Sequence, residues 1–255
     1  ERREVASITK LMTALLVLEA LDRDEIALTD SVQISPRAAA MKGSQALLDA
    51  SAVYPLEDLL RTTIMASAND SAVALSEYIA GSEENFVDRM NRRAAELGMT
   101  NTNYVNCTGY PQSGQYTTAR DVCRLCCEIA KHPRYNQYAS VWIDKLTHPG
   151  GRVTDLTNTN RLVRFYEGCD GYKTGSTDAA KYCLAATAEK NGMRLVAIVL
   201  GTPVSQTRFN EARQMLDYGF ATYRRVVIAN KGDLLGQNVE VRGGSAESVP
   251  LALGS

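Results

Sequence analysis

Apolar residues fill positions 11 to 21, LMTALLVLEAL, on every side of a 3.6-residue repeat, a pattern that predicts a helix buried within a core. Residues 24 to 55 are mixed, with Pro36, Gly43 and Pro55 as breaks, and read as loops and short strands. From Leu56 the spacing is helical through LEDLLRTTIMA, DSAVALSEYIAG and SEENFVDRMNRRAAELGM, with Ser82 as a cap and Gly98 as a stop. TTARDVCRLCCEIAKHP predicts a further helix, capped by Thr117 or Thr118 and ending near Pro133. Beyond residue 150 the texture changes. GCDGYKTG and KYCLAATAEKNGMRLVAIVLG read as three strands, the last two joined at Asn191-Gly192, a strong hairpin signal. SQTRFNEARQMLDYGFATY predicts a closing helix, and the tail from Tyr223 has β character with Gly-rich turns. The expected architecture is α/β: an antiparallel sheet flanked by helices, with a mostly helical lobe inserted at about 24–150. Residues 1–222 form the expected main domain, and 223–255 the start of a small β-rich one.

Composition narrows the partners. The chain has 255 residues, enough for a sizeable core. Its 28 Lys and Arg nearly balance 29 Asp and Glu, so no global field recruits nucleic acid or an anionic membrane. No run of about 18 apolar residues is present to span a bilayer. Glu1-Arg2-Arg3-Glu4 is charged and leads straight into the first helix, so the numbered chain reads as cut from something longer. Cys123, Cys126 and Cys127 share one helical stretch, but His132 and His148, the only histidines, add no second ligand pair at zinc spacing. These thiols are expected to be packing residues, with no metal and no cofactor.

One placement within this pattern demands an explanation. Ser7 and Lys10 stand at the mouth of the apolar helix, where a lysine costs free energy unless it is paired, deprotonated or facing a cavity. Residues three apart share a helix face, so the amine can reach the hydroxyl. An alcohol becomes a good nucleophile only when a base removes its proton. Lysine serves as that base if burial or a second cation lowers its pKa, and Lys173 is the candidate second cation. Free backbone N–H groups at the helix start suit a developing oxyanion.

Three motifs occur in order: Ser7-Ile8-Thr9-Lys10, Ser67-Ala68-Asn69 and Lys173-Thr174-Gly175. Each is weak alone, but their order and setting match the S-x-x-K, S-x-N and K-T-G set of serine penicillin-binding enzymes. With the flanking ASITKLMTALL, RTTIMASANDSAVALSEYIAG, LGMTNTNYVNCTGYP, TTARDVCRL and DGYKTGSTDAAKYCLAATAEKNGMRLVAIVLG, the chain resembles the D-alanyl-D-alanine carboxypeptidase family, serine-type low-molecular-weight penicillin-binding proteins. The resemblance covers most of residues 5 to 220 and implies a β-lactamase/transpeptidase-like fold. It also implies release of the terminal D-alanine from peptidoglycan stem peptides ending in D-Ala-D-Ala, with β-lactams as covalent inhibitors.

The resemblance further implies Ser7 as nucleophile, Lys10 as base and Ser67 as proton relay to the leaving amine. Asn69 would hold both the substrate amide and the lysine, Lys173 would polarise the site, and Thr174 would bind the terminal carboxylate. The N–H groups of Ser7 and of Ser176, the residue after Gly175, would form the oxyanion hole, and Arg208 would help grip the carboxylate. The implied location is extracytoplasmic, with any membrane attachment depending on segments absent from this chain. Two features depart from the family pattern: only six residues precede Ser7, where a strand pair is usual, and no terminal anchor helix is seen. A serine β-lactamase is the nearest alternative, but no E-x-x-L-N segment follows Ser67 at a suitable distance, and Asn69 follows alanine rather than aspartate. A non-hydrolytic penicillin-sensing or wall-binding module is the other alternative, since one scaffold hosts many functions. Cys169 and Cys183 fall out of register across the expected strand pair, so mainly free thiols are expected.

Overall fold

A computed structural model describes residues 1–242 and 248–254. A 3-10 turn over Ala6–Thr9 runs directly into α1 (Lys10–Asp22). There follow β1 (Ser31–Gln33), α2 (Pro36–Ala39), β2 (Val53–Pro55), α3 (Leu56–Met65), α4 (Asn69–Ala80), α5 (Glu83–Glu96), α6 (Ala119–Ile129) and α7 (Pro133–Ala139). The remainder is β3 (Ile143–Thr147), β4 (Val153–Thr157), α8 (Leu162–Phe165), β5 (Cys169–Thr177), β6 (Lys181–Lys190), β7 (Met193–Thr202), α9 (Ser205–Thr222), β8 (Leu234–Glu240) and β9 (Ser248–Ala252).

Local chemistry accounts for most boundaries. Ser82 accepts from Asn85 N and Thr118 from Asp121 N, each capping its helix as the sequence suggested. Gly81 closes α4 in the left-handed conformation at φ 77°. Asn191 and Gly192, both at positive φ, make the two-residue turn between β6 and β7. Several elements were not anticipated, α2, α7, α8 and the β3–β4 hairpin among them. Ser35 caps α2 with Pro36 at its first position. Pro133, read as the end of one helix, opens α7 instead, because proline is pre-organised for a first helical turn. The β3–β4 hairpin lies where the sequence showed only a change of texture. In the tail, β8 pairs with β9, and the Gly-rich turn at 243–247 lies outside the described residues.

Strands β5, β6 and β7 form an antiparallel sheet in that order. Side chains alternate across β6. Cys183 and Ala185 join the large core built on α1, whereas Leu184, Ala186 and Ala188 pack with Phe209, Ala212 and Leu216 of α9. Helix α1 is therefore covered on all sides, which explains why it lacks a polar face.

Two glycines set the start of this helix. A Cβ on Gly175 of β5 would overlap Val5 O and approach Ser7 N to 3.1 Å, and one on Gly109, at φ 78°, would overlap Ala6 O. The turn carrying Ser7 is thus held between two close backbones. Asp70 secures the loop opposite. Fully buried, it accepts from Ala46 N (3.0 Å), Leu48 N (3.1 Å) and Ser71 N (2.9 Å).

Asp70→Ala is expected to destabilise the protein by about 3 kcal/mol or more, because buried N–H groups lose their acceptor. A shift of the urea midpoint at unchanged slope tests this. Gly109→Ala combines positive φ with backbone overlap, and the same measurement should show a loss of about 2 kcal/mol or more.

Candidate active site

Ser7 and Lys10 meet as their spacing suggested. The 3-10 turn eclipses residues three apart, and Lys10 Nζ lies 3.0 Å from Ser7 Oγ. Lys10 is 1% exposed, and Nζ also donates to Thr108 O at 2.7 Å. Burial draws its pKa down to about 7, against opposing fields from Cys107 and Asp70. The amine can therefore exist neutral near physiological pH, as a proton acceptor must.

Lys173, on β5, is equally buried, and its Nζ donates to Thr174 O at 3.1 Å. Its pKa is held well below the ordinary lysine range by burial first, then by Lys10 and Arg208. Lys173 was expected to depress Lys10 as a second cation, but burial alone lowers Lys10, while Lys173 is itself lowered by burial and then by the charge of Lys10.

Ser7, Asn69 and Ser176 line one cleft of about 330 Å³, together with Gly43, Tyr110 and Asp178. Ser67 is buried just before α4, with a positive φ of 64° that is unusual for serine. Such backbone strain, and that of Ala6 at φ 50°, stands next to the candidate nucleophile and relay. Thr174 and Gly175 precede Ser176 along β5, and Thr174 is buried.

Two expectations need correction. Asn69 does not hold Lys10: its Nδ2 donates to Lys42 O at 2.6 Å, and its buried Oδ1 has no partner among the described residues. Thr108 O takes that place. Asn106 Oδ1 accepts from Gly109 N at 2.7 Å and fixes the Thr108–Gly109 corner. The sequence offered one signal for this carbonyl, the NCTGYP block, to which no role was attached.

Arg208 also differs. It is 8% exposed, donates to Gly175 O (3.0 Å) and Cys183 O (3.1 Å), and stacks near Tyr182 and Phe209. It faces a separate hollow with Trp142 and Arg161 rather than the Ser7 cleft, so in this geometry it braces the K-T-G strand. A lone arginine match could not reveal that one guanidinium nitrogen is taken up by two backbone carbonyls and another by Ser205 Oγ.

Away from the cleft, Glu19, Glu128 and His132 bring three metal-type ligands together. Arg93 donates to Glu19 and Glu128 at 2.8 and 3.0 Å, so the carboxylates already have their counter-charge. Cys126 is buried and its thiol pKa is pushed well up, the behaviour of a packing residue. Gly175 stands opposite Cys183 and Cys169 opposite Ala188, so Cys169 and Cys183 are out of register.

The sequence profile of the D-alanyl-D-alanine carboxypeptidase family, peptidase S11, matches residues 1–204. The chain is 39% identical to D-alanyl-D-alanine carboxypeptidase DacF of Bacillus subtilis over 98% of its own length and 64% of that protein's. It is 35% identical to DacC of Escherichia coli, over 89% of this chain and 57% of that one. The chain thus spans less than two thirds of these relatives. Penicillin-binding protein 5 of Haemophilus influenzae superposes with a TM-score of 0.84 at 32% identity, covering 99% of this chain and 73% of that one. Penicillin-binding protein D2 of Listeria monocytogenes, solved in an ampicillin-bound form, gives 0.72 at 32% identity over 86% and 88%. The fold is the transpeptidase-like fold of penicillin-binding proteins, and with a buried lysine against the helix-start serine the chain belongs to the D-alanyl-D-alanine carboxypeptidase family.

Proposed function

We propose that the protein is a serine-type D-alanyl-D-alanine carboxypeptidase acting on peptidoglycan stem peptides outside the cytoplasmic membrane, with β-lactams as covalent inhibitors. The observation that carries this reading is the desolvated Lys10 amine 3.0 Å from Ser7 Oγ, in a chain of this family. Residues 1–222 are read as the catalytic unit, with a helical lobe at about 24–150, and 223–255 as the opening of a β-rich domain.

In the first step Lys10 takes the Ser7 proton as Oγ attacks the carbonyl between the two D-alanines. The oxyanion forms against the N–H groups of Ser7 and Ser176, a reading supported by the close approach of neighbouring Gly175 to Ser7 N. Ser67 relays a proton to the departing amine, and D-alanine leaves. Asn69 lines the cleft with Ser7, and its Oδ1, without a partner among the described residues, accepts the substrate amide N–H. Lys173 and Thr174 receive the terminal carboxylate, and Arg208 holds the strand that carries them. Water then clears the ester from Ser7, with Lys10 again as base.

Ser7→Ala is expected to abolish covalent labelling by a fluorescent penicillin and to cut D-alanine release from diacetyl-L-Lys-D-Ala-D-Ala by on the order of 10⁴-fold. Persistent labelling would remove Ser7 from its role. Lys10 supplies the pH dependence. Its neutral form grows as pH rises through about 7, so the acylation rate should climb about tenfold per unit below that value and level off above it. Lys10→Ala should lower acylation by about 10²- to 10⁴-fold and erase this rise, measured by stopped-flow with a chromogenic β-lactam.

A further inference from the structure

The cleft carries a charge at its rim that the mechanism leaves unused. Asp178 follows the last residue of β5, is exposed, and lines the same cleft as Ser7, Asn69 and Tyr110. Of the described residues lining that cleft, it alone bears a charged side chain. It makes no ion pair or side-chain hydrogen bond among the described residues, although Lys181 lies across the same turn. A carboxylate left unpaired at the mouth of a binding cleft is placed to receive a cation.

The direction of β5 says which part of a substrate would bring one. β5 is an edge strand of its sheet, so an extended peptide can lie along it. Under the proposed function, the terminal carboxylate sits toward Lys173 and Thr174, and the scissile carbonyl sits between Ser7 and the Ser176 N–H. The peptide therefore runs toward Thr177 and Asp178 as it is followed back from its C-terminus. Asp178 opens the turn two residues beyond Ser176, a reach of at most about 7 Å along the chain. The substrate residue before the two D-alanines begins one Cα step, about 3.8 Å, past the scissile unit. A side chain of a few methylenes ending in an ammonium closes that gap.

We infer that Asp178 is a specificity-determining residue that reads a free ammonium on the side chain of the residue preceding D-Ala-D-Ala. The inference rests on the carboxypeptidase reading and adds to it a preference within the substrate class. Acetylation of that amine, as in a capped test peptide, removes the group that Asp178 recognises. Substrates with an uncapped amine are the ones the rim favours, and the preference weakens with salt because the pair is exposed.

The test compares kcat/KM for two peptides, α-acetyl-L-Lys-D-Ala-D-Ala and its Nε-acetylated counterpart, in the unaltered protein and in Asp178→Asn and Asp178→Lys. The unaltered protein should favour the free amine by about three- to tenfold at low ionic strength. Asp178→Asn should bring the ratio to about one, and Asp178→Lys should reverse it, which a merely structural role at this turn would not do. An unchanged ratio in both variants overturns the role of Asp178 while leaving the carboxypeptidase reading intact. Failure of the unaltered protein to release D-alanine from either peptide overturns both, and penicillin labelling of Ser7 in the same samples tells a failed substrate assignment from an inactive preparation.

Discussion

The site depends on keeping one amine dry. Helix α1 has no polar face because α3, α4, α5, α6, α7 and the sheet surround it, and Lys10 enters that environment with only two oxygens to satisfy it, Ser7 Oγ and Thr108 O. An ammonium at that position gives up its hydration, and the two oxygens replace part of it, so the neutral form becomes accessible near pH 7. The arrangement has a cost. Between about 7 and the ordinary lysine value of 10.5, the unfolded chain binds a proton that the folded one does not. The unfolded state therefore gains there, and the penalty on stability shrinks as pH rises across the window. The rest of the core has to supply the difference.

The surrounding structure holds the Ser7 turn in place through backbone rather than through side chains. Gly109 and Gly175 approach the turn from two sides where no Cβ fits, and Asn106 fixes the corner that presents Thr108 O to Lys10. Asp70, at the head of α4, orders the 46–48 loop, whose neighbours Gly43 and Ser44 form the opposite wall of the cleft. Positive φ at Ala6, which adjoins Ser7, and at Ser67 itself strains the backbone at both serines of the proposed mechanism. Strain of this kind persists only where neighbouring contacts over-determine the backbone. Here those contacts are two glycine approaches and a buried carboxylate.

Local chemistry made some of this readable in advance. Uninterrupted apolarity identified α1, Asn-Gly identified the β6–β7 turn, and a serine and a threonine identified two caps, because each signal acts within a few residues. Each of the three motifs contributed a residue that the fold brings to Ser7 or its cleft: Lys10, Asn69 and Gly175. What escaped is non-local. Thr108 acts through a carbonyl that every residue possesses, so nothing in its side chain announces the contact with Lys10. Asn69 was expected on that amine and instead ties down Lys42 O, a choice fixed by how the 42–44 loop returns to α4. Arg208 matched by type, but one of its terminal nitrogens is committed to Gly175 O and Cys183 O, a consequence of α9 packing on the sheet. Pro133 was ambiguous from the start, because proline both ends one helix and opens the next.

The pair of buried lysines gives the proposed substrate a part in preparing its own attack. In the free protein burial holds both amines below the ordinary lysine range, and the charge of Lys10 lowers Lys173 further. A carboxylate arriving beside Lys173 and Thr174 stabilises the ammonium of Lys173 far more than that of Lys10, because the favourable field falls with distance. A charged Lys173 then disfavours a proton on Lys10 through the same coupling. Under the proposed function, an anionic C-terminus bound there divides the two amines into a charged anchor and a neutral base. On that reading a substrate lacking the carboxylate leaves the division unmade, and recognition of the free C-terminus and activation of Ser7 become parts of one electrostatic event.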